Sequence, residues 1–258
     1  MDDKLKAFER LLNIMDELRE KCPWDREQTY ESLRANTLEE AYELAGAILS
    51  KDYVEMRKEL GDLLLHIVFY SKIASEENRF TIAEVMNGLC DKLIYRHPHV
   101  FGEVQVSGTG EVLENWEQLK IKEKDGNKTV LSGVPKALPA LIKANRIQEK
   151  VRAVGFDWEE RNQVWDKVEE EYQELRKEVS ENNMVNAEKE FGDLLFSVVN
   201  AARLYGIDPE SALERTNQKF MKRFGYLEER TIKTGKNLKE MSLDEMNVIW
   251  EEAKKFDS

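Results

Sequence analysis

Apolar residues recur at every third or fourth position along most of the chain. Leu5, Phe8, Leu11, Leu12, Met15 and Leu18 form one such stripe, the spacing of a helix that buries a single face. This helix is predicted to stop near Cys22-Pro23, because the residue before a proline avoids the α conformation. A second helix is predicted from about Thr29 to Lys51 and a third from about Asp52. The third carries the run Leu60 to Phe69, apolar nearly all round, as expected for a helix enclosed in a bundle. Thr81-x-x-Glu84 has the form of a capping box opening a fourth helix, which His97-Pro98 should end. Helical spacing returns from Glu111 to Lys124 and from Leu138 to Val154. Asp208-Pro209 and Ser242-x-x-Glu245 mark two further helix starts. No strand series is visible, so the pattern predicts an all-α fold of helical bundles.

The second half repeats the first. Glu40, Glu43, Glu59 and Asp62 match Glu171, Glu174, Glu190 and Asp193 at one offset of 131 residues. Lys92 and Arg96 match Lys219 and Arg223 at an offset of 127, and Trp116 and Lys120 match Trp250 and Lys254 at 134. The polar stretch Lys124-Asp125-Gly126-Asn127-Lys128 and the following Ser132-Gly133-Val134-Pro135 read as a connection. Two tandem domains of one type are therefore expected over residues 1–125 and 135–258, with a linker at 126–134.

Composition narrows the function. The 258 residues hold 39 Lys+Arg and 51 Asp+Glu, a net charge of −12, which disfavours a broad nucleic-acid footprint. No apolar run approaches the ~20 residues of a membrane span, and no secretory h-region opens the chain. Cys22 and Cys90 lack a CxxC spacing and fit a reduced, cytoplasmic protein.

The repeated acidic quartet carries the candidate chemistry. Glu40 and Glu43 share one helix face, as do Glu59 and Asp62 on the next helix. Glu43 and Glu59 are 16 positions apart, with Lys51 midway inside the turn signal Ser50-Lys51-Asp52. In an antiparallel hairpin they stand at one height. Glu174 and Glu190 repeat this spacing around Asn182. Four carboxylates at one level repel one another unless a cation sits among them. Oxygen-only ligation suits Mg²⁺, with Mn²⁺ as a substitute. Asp62 and Asp193 sit in strongly apolar helices and are expected to be shielded rather than merely solvated. Gly61 and Gly192, beside them, suggest close helix approach or ligand access.

The quartet spacing resembles the signature of the MazG nucleoside triphosphate pyrophosphohydrolases. Its flanks support this: Cys22-Pro23-Trp24-Asp25, Arg96-His97-Pro98-His99-Val100-Phe101-Gly102, Val154-Gly155-Phe156-Asp157-Trp158, and Asn217-x-Lys219-Phe220-x-x-Arg223-Phe224. The resemblance covers nearly the whole chain, two-repeat layout included. It implies an all-α homodimer that cleaves NTPs or dNTPs, with Mg²⁺, to NMP or dNMP and pyrophosphate. In two-repeat members it points to the C-terminal copy as the main hydrolase, so Glu171, Glu174, Glu190 and Asp193 are expected to act catalytically there with Lys219 and Arg223. Both quartets are expected metal ligands. Lys92, Arg96, Lys219, Arg223, Trp116, Lys120, Trp250 and Lys254 are expected to meet phosphates or base; packing in the core is the competing role for the tryptophans.

Other features recede. His66 lies four residues after Asp62, but its counterpart is Ser197, so a satisfied core histidine fits better than a shared ligand. Neither G-x-x-x-x-G-K-[ST] nor G-x-G-x-x-G occurs. Two alternatives stand beside the leading function: a narrow phosphohydrolase acting on dUTP, dCTP or a phosphoribosyl nucleotide, and a non-catalytic helical interaction protein.

Overall fold

A computed structural model describes residues 2–122, 129–158, 160–233, 235 and 237–256, without the side chains of 113, 114, 117, 118 and 120–122. Polar residues 124–128, read as connection, fall outside this description in whole. Helices account for the ordered elements, and no strand occurs among the described residues. The chain forms two compact units, Met1–Val112 and Leu113–Ser258.

In the first unit α1 spans Asp3–Lys21 and ends at Cys22, and α2 restarts at Pro23 and runs to Glu27. Pro23 takes the first helical position, where its missing N–H costs nothing. The Arg19 guanidinium fastens this corner. It pairs with Glu76 and donates to the carbonyls of Asp25, Arg26 and Gln28. Helix α3 covers Tyr30–Ser50 behind a Thr29–Ser32 capping box. Helix α4, Tyr53–Glu76, opens on Asp52, whose carboxylate accepts from the backbones of Val54 and Glu55. Helix α5, Ile82–Arg96, has the Thr81–Glu84 capping box and stops at His97, and α6 is the single turn Pro98–Phe101. Helices α1, α3 and α4 enclose the core of Met15, Leu33, Val68, Phe69 and Ile73.

Helix α7, Thr109–Lys122, begins in the first unit and continues into the second. There, α8 covers Ala140–Arg152, α9 Gln163–Ser180, α10 Met184–Leu204, α11 Pro209–Lys233 and α12 Leu243–Ala253. Asp208 caps α11 by accepting from the Ser211 N–H, and Ser242 with Glu245 caps α12. Helices α9 and α10 form the principal pair, flanked by α8 and α11.

Two hairpins, α3–α4 and α9–α10, place the acidic residues. Their turns invert at Lys51 (φ 58°) and Asn182 (φ 57°), the two midpoints between the acidic pairs. The left-handed conformation suits asparagine and costs other side chains about 1 kcal/mol.

The apolar run on α4 is enclosed on one side only. Val68 and Phe69 are buried, whereas Leu60 and Ile67 remain about half exposed. Helix α10 repeats this, with Val199 buried and Phe191 and Leu195 open. The all-round burial expected of the first run is thus absent within the single chain, because α1 and α3 cover one flank. A Cβ added at Gly61 or Gly192 would meet nothing within 4 Å, so these glycines permit no close helix approach within the chain. No described helix is long and apolar enough to cross a membrane, and both cysteines are free thiols.

Candidate functional site

The α3–α4 hairpin draws its carboxylates into two overlapping groups. Glu40, Glu59 and Asp62 offer oxygens within 4.8 Å of one another, and so do Glu43, Glu55 and Glu59. Glu59 belongs to both and is fully buried. Its Oε1 accepts from Lys58 at 2.9 Å, while Oε2 is buried with no hydrogen-bond partner. Lys58 also reaches Glu55 at 2.8 Å. The hydrogen bond from Lys58 holds the Glu59 carboxyl below its ordinary value despite burial. Glu40 is pushed up by burial, then by its hydrogen bond to Glu59 and the charges of Asp62, Glu43 and Glu59.

The α9–α10 hairpin rebuilds part of this arrangement. Glu171, Glu190 and Asp193 bring oxygens within 4.8 Å. Glu171 is buried and pairs with Lys167 at 2.7 Å. Glu174, one turn along α9, is exposed and outside the trio. Its charge still contributes to raising Glu190, after burial and ahead of Asp193, Glu171 and Glu178. Burial falls on Glu59 and Glu171 rather than on the two aspartates: Asp62 is half-buried and Asp193 exposed. Phe191 and Leu195 beside Asp193 are open to solvent, so Asp193 lacks the shielding its sequence suggests, while Asp62 keeps part of it.

A cavity of about 520 Å³ opens beside the second trio. Glu171, Asp193 and Lys167 line one part of it, and Phe156, Trp158, Val164 and Phe196 supply apolar wall. The loop at its rim is fixed by an ion pair between Asp157 and Arg203. In the first unit the residues 131 positions before Val164 and Asn200 are Leu33 and Phe69. Both are buried in the core with Met15. At these two equivalent positions the first repeat carries large buried apolar side chains, where the second has Val164 and Asn200 in the cavity wall.

The basic and aromatic residues are only partly gathered. Arg223 on α11 lies 5.6 Å over the Trp250 ring of α12, and the Phe220 ring packs against that ring at a tilt, with centroids 5.0 Å apart. Trp250 thereby has a packing role and a cationic neighbour together. Lys219 is exposed, and Lys254 is exposed and paired with Glu251. Lys92 is exposed and Arg96 half-buried on α5. Trp116 is half-buried in the part of α7 that belongs to the second unit. The Lys120 side chain lies outside the described residues. His66 is buried, with its ring Nδ1 2.6 Å from the Thr37 hydroxyl, which also meets Tyr70. It joins none of the acidic groups.

Sequence reading missed Glu55, Lys58 and Lys167. Their signal was present: Glu55 precedes Glu59 by four residues, and Lys167 precedes Glu171 by four, the spacing at which helical side chains meet.

The family model of the MazG nucleotide pyrophosphohydrolase domain matches twice, at residues 28–101 and 160–226. A nucleoside triphosphate pyrophosphohydrolase/pyrophosphatase MazG of Thermotoga maritima is 45% identical over 250 residues, 96% of this chain and 95% of that protein. A nucleoside triphosphate pyrophosphohydrolase of Escherichia coli K12 is 40% identical over 258 residues, 97% of this chain and 98% of its own. One of the same name from Mycobacterium tuberculosis is 39% identical over 153 residues, 57% of this chain and 46% of its own. Each domain match contains one acidic hairpin whole, and the chain belongs to the MazG nucleotide pyrophosphohydrolase family.

Proposed function

We propose that this protein hydrolyses nucleoside triphosphates to the monophosphate and pyrophosphate, with Mg²⁺ held by its acidic hairpins and turnover concentrated in the C-terminal repeat. The carrying observation is the cavity that runs from the Glu171–Asp193 trio to an aromatic wall. Its size falls in the range of small-molecule sites, about 300–1,000 Å³. The same chamber thus offers a place for phosphate chemistry and a place for a nucleoside.

The acidic groups fit a hard divalent cation. Their donors are carboxylate oxygens alone, and the buried Oε2 of Glu59 lacks any partner. Glu40, Glu43, Glu59 and Asp62 would hold an ion in the first repeat, and Glu171, Glu174, Glu190 and Asp193 in the second. When bound, such a cation supplies Lewis acidity to water and charge neutralisation to phosphate oxygens. Lys58 and Lys167 serve as counter-charges to the buried carboxylates of Glu59 and Glu171. Lys219 and Arg223 bring positive charge toward the leaving pyrophosphate, with Lys254 and Trp250 beside them. Lys92, Arg96, Trp116 and Lys120 are the corresponding set in sequence for the first repeat. The test is incubation with the eight common NTPs and dNTPs plus Mg²⁺ and identification of the products. Monophosphate with pyrophosphate supports the reading; diphosphate with orthophosphate, or no turnover, overturns it.

The half-exposed apolar faces of α4 and α10 support assembly as a homodimer. They carry Leu60, Leu64, Ile67, Phe191, Leu195 and Val198 in solvent, apolar faces that association between copies would bury. Light scattering is expected to give about 60 kDa, twice the 30.1 kDa chain. A single species of one chain's mass at micromolar concentration contradicts the association.

A further inference from the structure

Helix α12 and the 3₁₀ turn after it, Lys254–Phe256, pack on α11 through two separate rows of residues. Trp250 meets Phe220 and Arg223, the substrate-facing side proposed above. Glu252 and Phe256 meet a different row, Lys222, Tyr226 and Arg230, which stand four apart along one face of α11. The Lys222 ammonium donates to the Phe256 backbone carbonyl at 2.8 Å. The Tyr226 and Phe256 rings pack with centroids 5.4 Å apart. Arg230 donates to the Tyr226 hydroxyl at 3.0 Å and to the Glu252 carboxylate at 3.3 Å. Ala253, between these contacts, is buried. At the offsets of 127 and 134 that relate the repeats, the five clasp residues correspond to Tyr95, His99, Glu103, Gln118 and Lys122. Helix α5 ends at Arg96, so the row cannot continue along it as it does along α11.

We infer that Lys222, Tyr226 and Arg230, closed on Glu252 and Phe256, are positioning residues that hold Trp250 and Lys254 toward the substrate triphosphate. The inference rests on the substrate role proposed above for Trp250 and Lys254. These two are four apart and leave α12 on one side, so a roll of the helix about its axis carries both away together. The clasp grips the same two turns from another side and resists that roll. Its bond from Lys222 reaches main chain two residues beyond Lys254, which fixes the backbone path through Lys254 itself. None of the five touches the acidic trio, so the clasp acts on placement of the substrate rather than on the attacking water.

Phe256→Ala and Lys222→Met each open the clasp from one side, and both residues are exposed, so the Tm is expected to hold. Kinetics use Mg²⁺ and whichever of the eight common nucleotides turns over fastest. In both variants KM is expected to rise about 5-fold or more while kcat stays within about 2-fold. Phe256→Tyr keeps the ring and is expected to restore the wild-type KM. A second background, Trp250→Ala with Lys254→Met, is expected to raise KM about 10-fold or more. Adding Phe256→Ala or Lys222→Met there should raise it no further, because the side chains through which the clasp acts are gone. An unchanged KM in both clasp variants overturns the inference. So does a full further rise in the second background, which is the behaviour of a merely structural contact. A wild-type KM in the second background itself would instead remove the substrate role of Trp250 and Lys254, and the inference with it.

Discussion

Asp193→Asn is expected to lower kcat by about 100-fold or more, while Asp62→Asn keeps a large share of activity and the double variant is inactive. Asparagine preserves volume and removes one anionic oxygen from one group. Asp193 meets Glu171 and Glu190 at the cavity, so its loss strikes metal holding where a nucleoside also fits. Asp62 occupies the equivalent position in a repeat whose interior is filled by Met15, Leu33 and Phe69. Asp193 is solvent-exposed, and substitutions there change stability by about 0.5 kcal/mol or less. Circular dichroism should therefore show an unchanged helical fold, and loss of activity cannot be assigned to unfolding. Substantial and equal activity in both single variants would mean that the repeats work independently. Full activity in a folded double variant would remove the acidic groups from the mechanism.

Chelation of divalent ions should abolish turnover and lower the Tm, with Mg²⁺ or Mn²⁺ restoring both. A ligand that binds only the folded state at 100 times its Kd stabilises it by about 2.7 kcal/mol. The dependence on pH has a definite sign. Glu40 and Glu190 sit above the ordinary carboxyl value in the metal-free protein, chiefly through burial and then through neighbouring carboxylates. A cation binds the deprotonated carboxylates, so its affinity weakens as pH falls through these raised values. The same two groups penalise the metal-free fold above their unfolded pKa, and that penalty is relieved on acidification. Glu59, lowered by Lys58, acts oppositely: its contribution is present above its unfolded pKa and lost as pH drops through its lowered folded value. Melting curves with and without Mn²⁺ across the acid range check this. A metal-induced rise in Tm that grows as pH falls contradicts it.

Helix ends were legible because their causes are local. Pro23, the Thr81–Glu84 and Ser242–Glu245 boxes and Asp208-Pro209 all act within one turn. The hairpin midpoints at Lys51 and Asn182 followed from counting residues between the acidic pairs, and both adopt the left-handed turn. The single-turn helices after Pro23 and Pro98 escaped notice, since a proline that ends one helix equally well starts the next. The acidic hairpins were legible as patterns, but their inner partition was not. That Glu174 stands outside its trio while Glu55 joins Glu43 and Glu59 depends on side-chain directions across two helices. The cavity beside the second trio left even less trace, because it is made by residues from α8, α9, α10 and the rim loop. No periodicity links those segments, whereas one repeat offset linked the carboxylates.

The central claim is that water attacks the α-phosphorus of a nucleoside triphosphate at the acidic hairpins. Hydrolysis of the preferred nucleotide in ¹⁸O-labelled water with Mg²⁺, followed by mass analysis of both products, tests it most directly. One labelled oxygen in the monophosphate and none in the pyrophosphate is the predicted result. Label in pyrophosphate, or in released orthophosphate with a diphosphate product, would contradict the account.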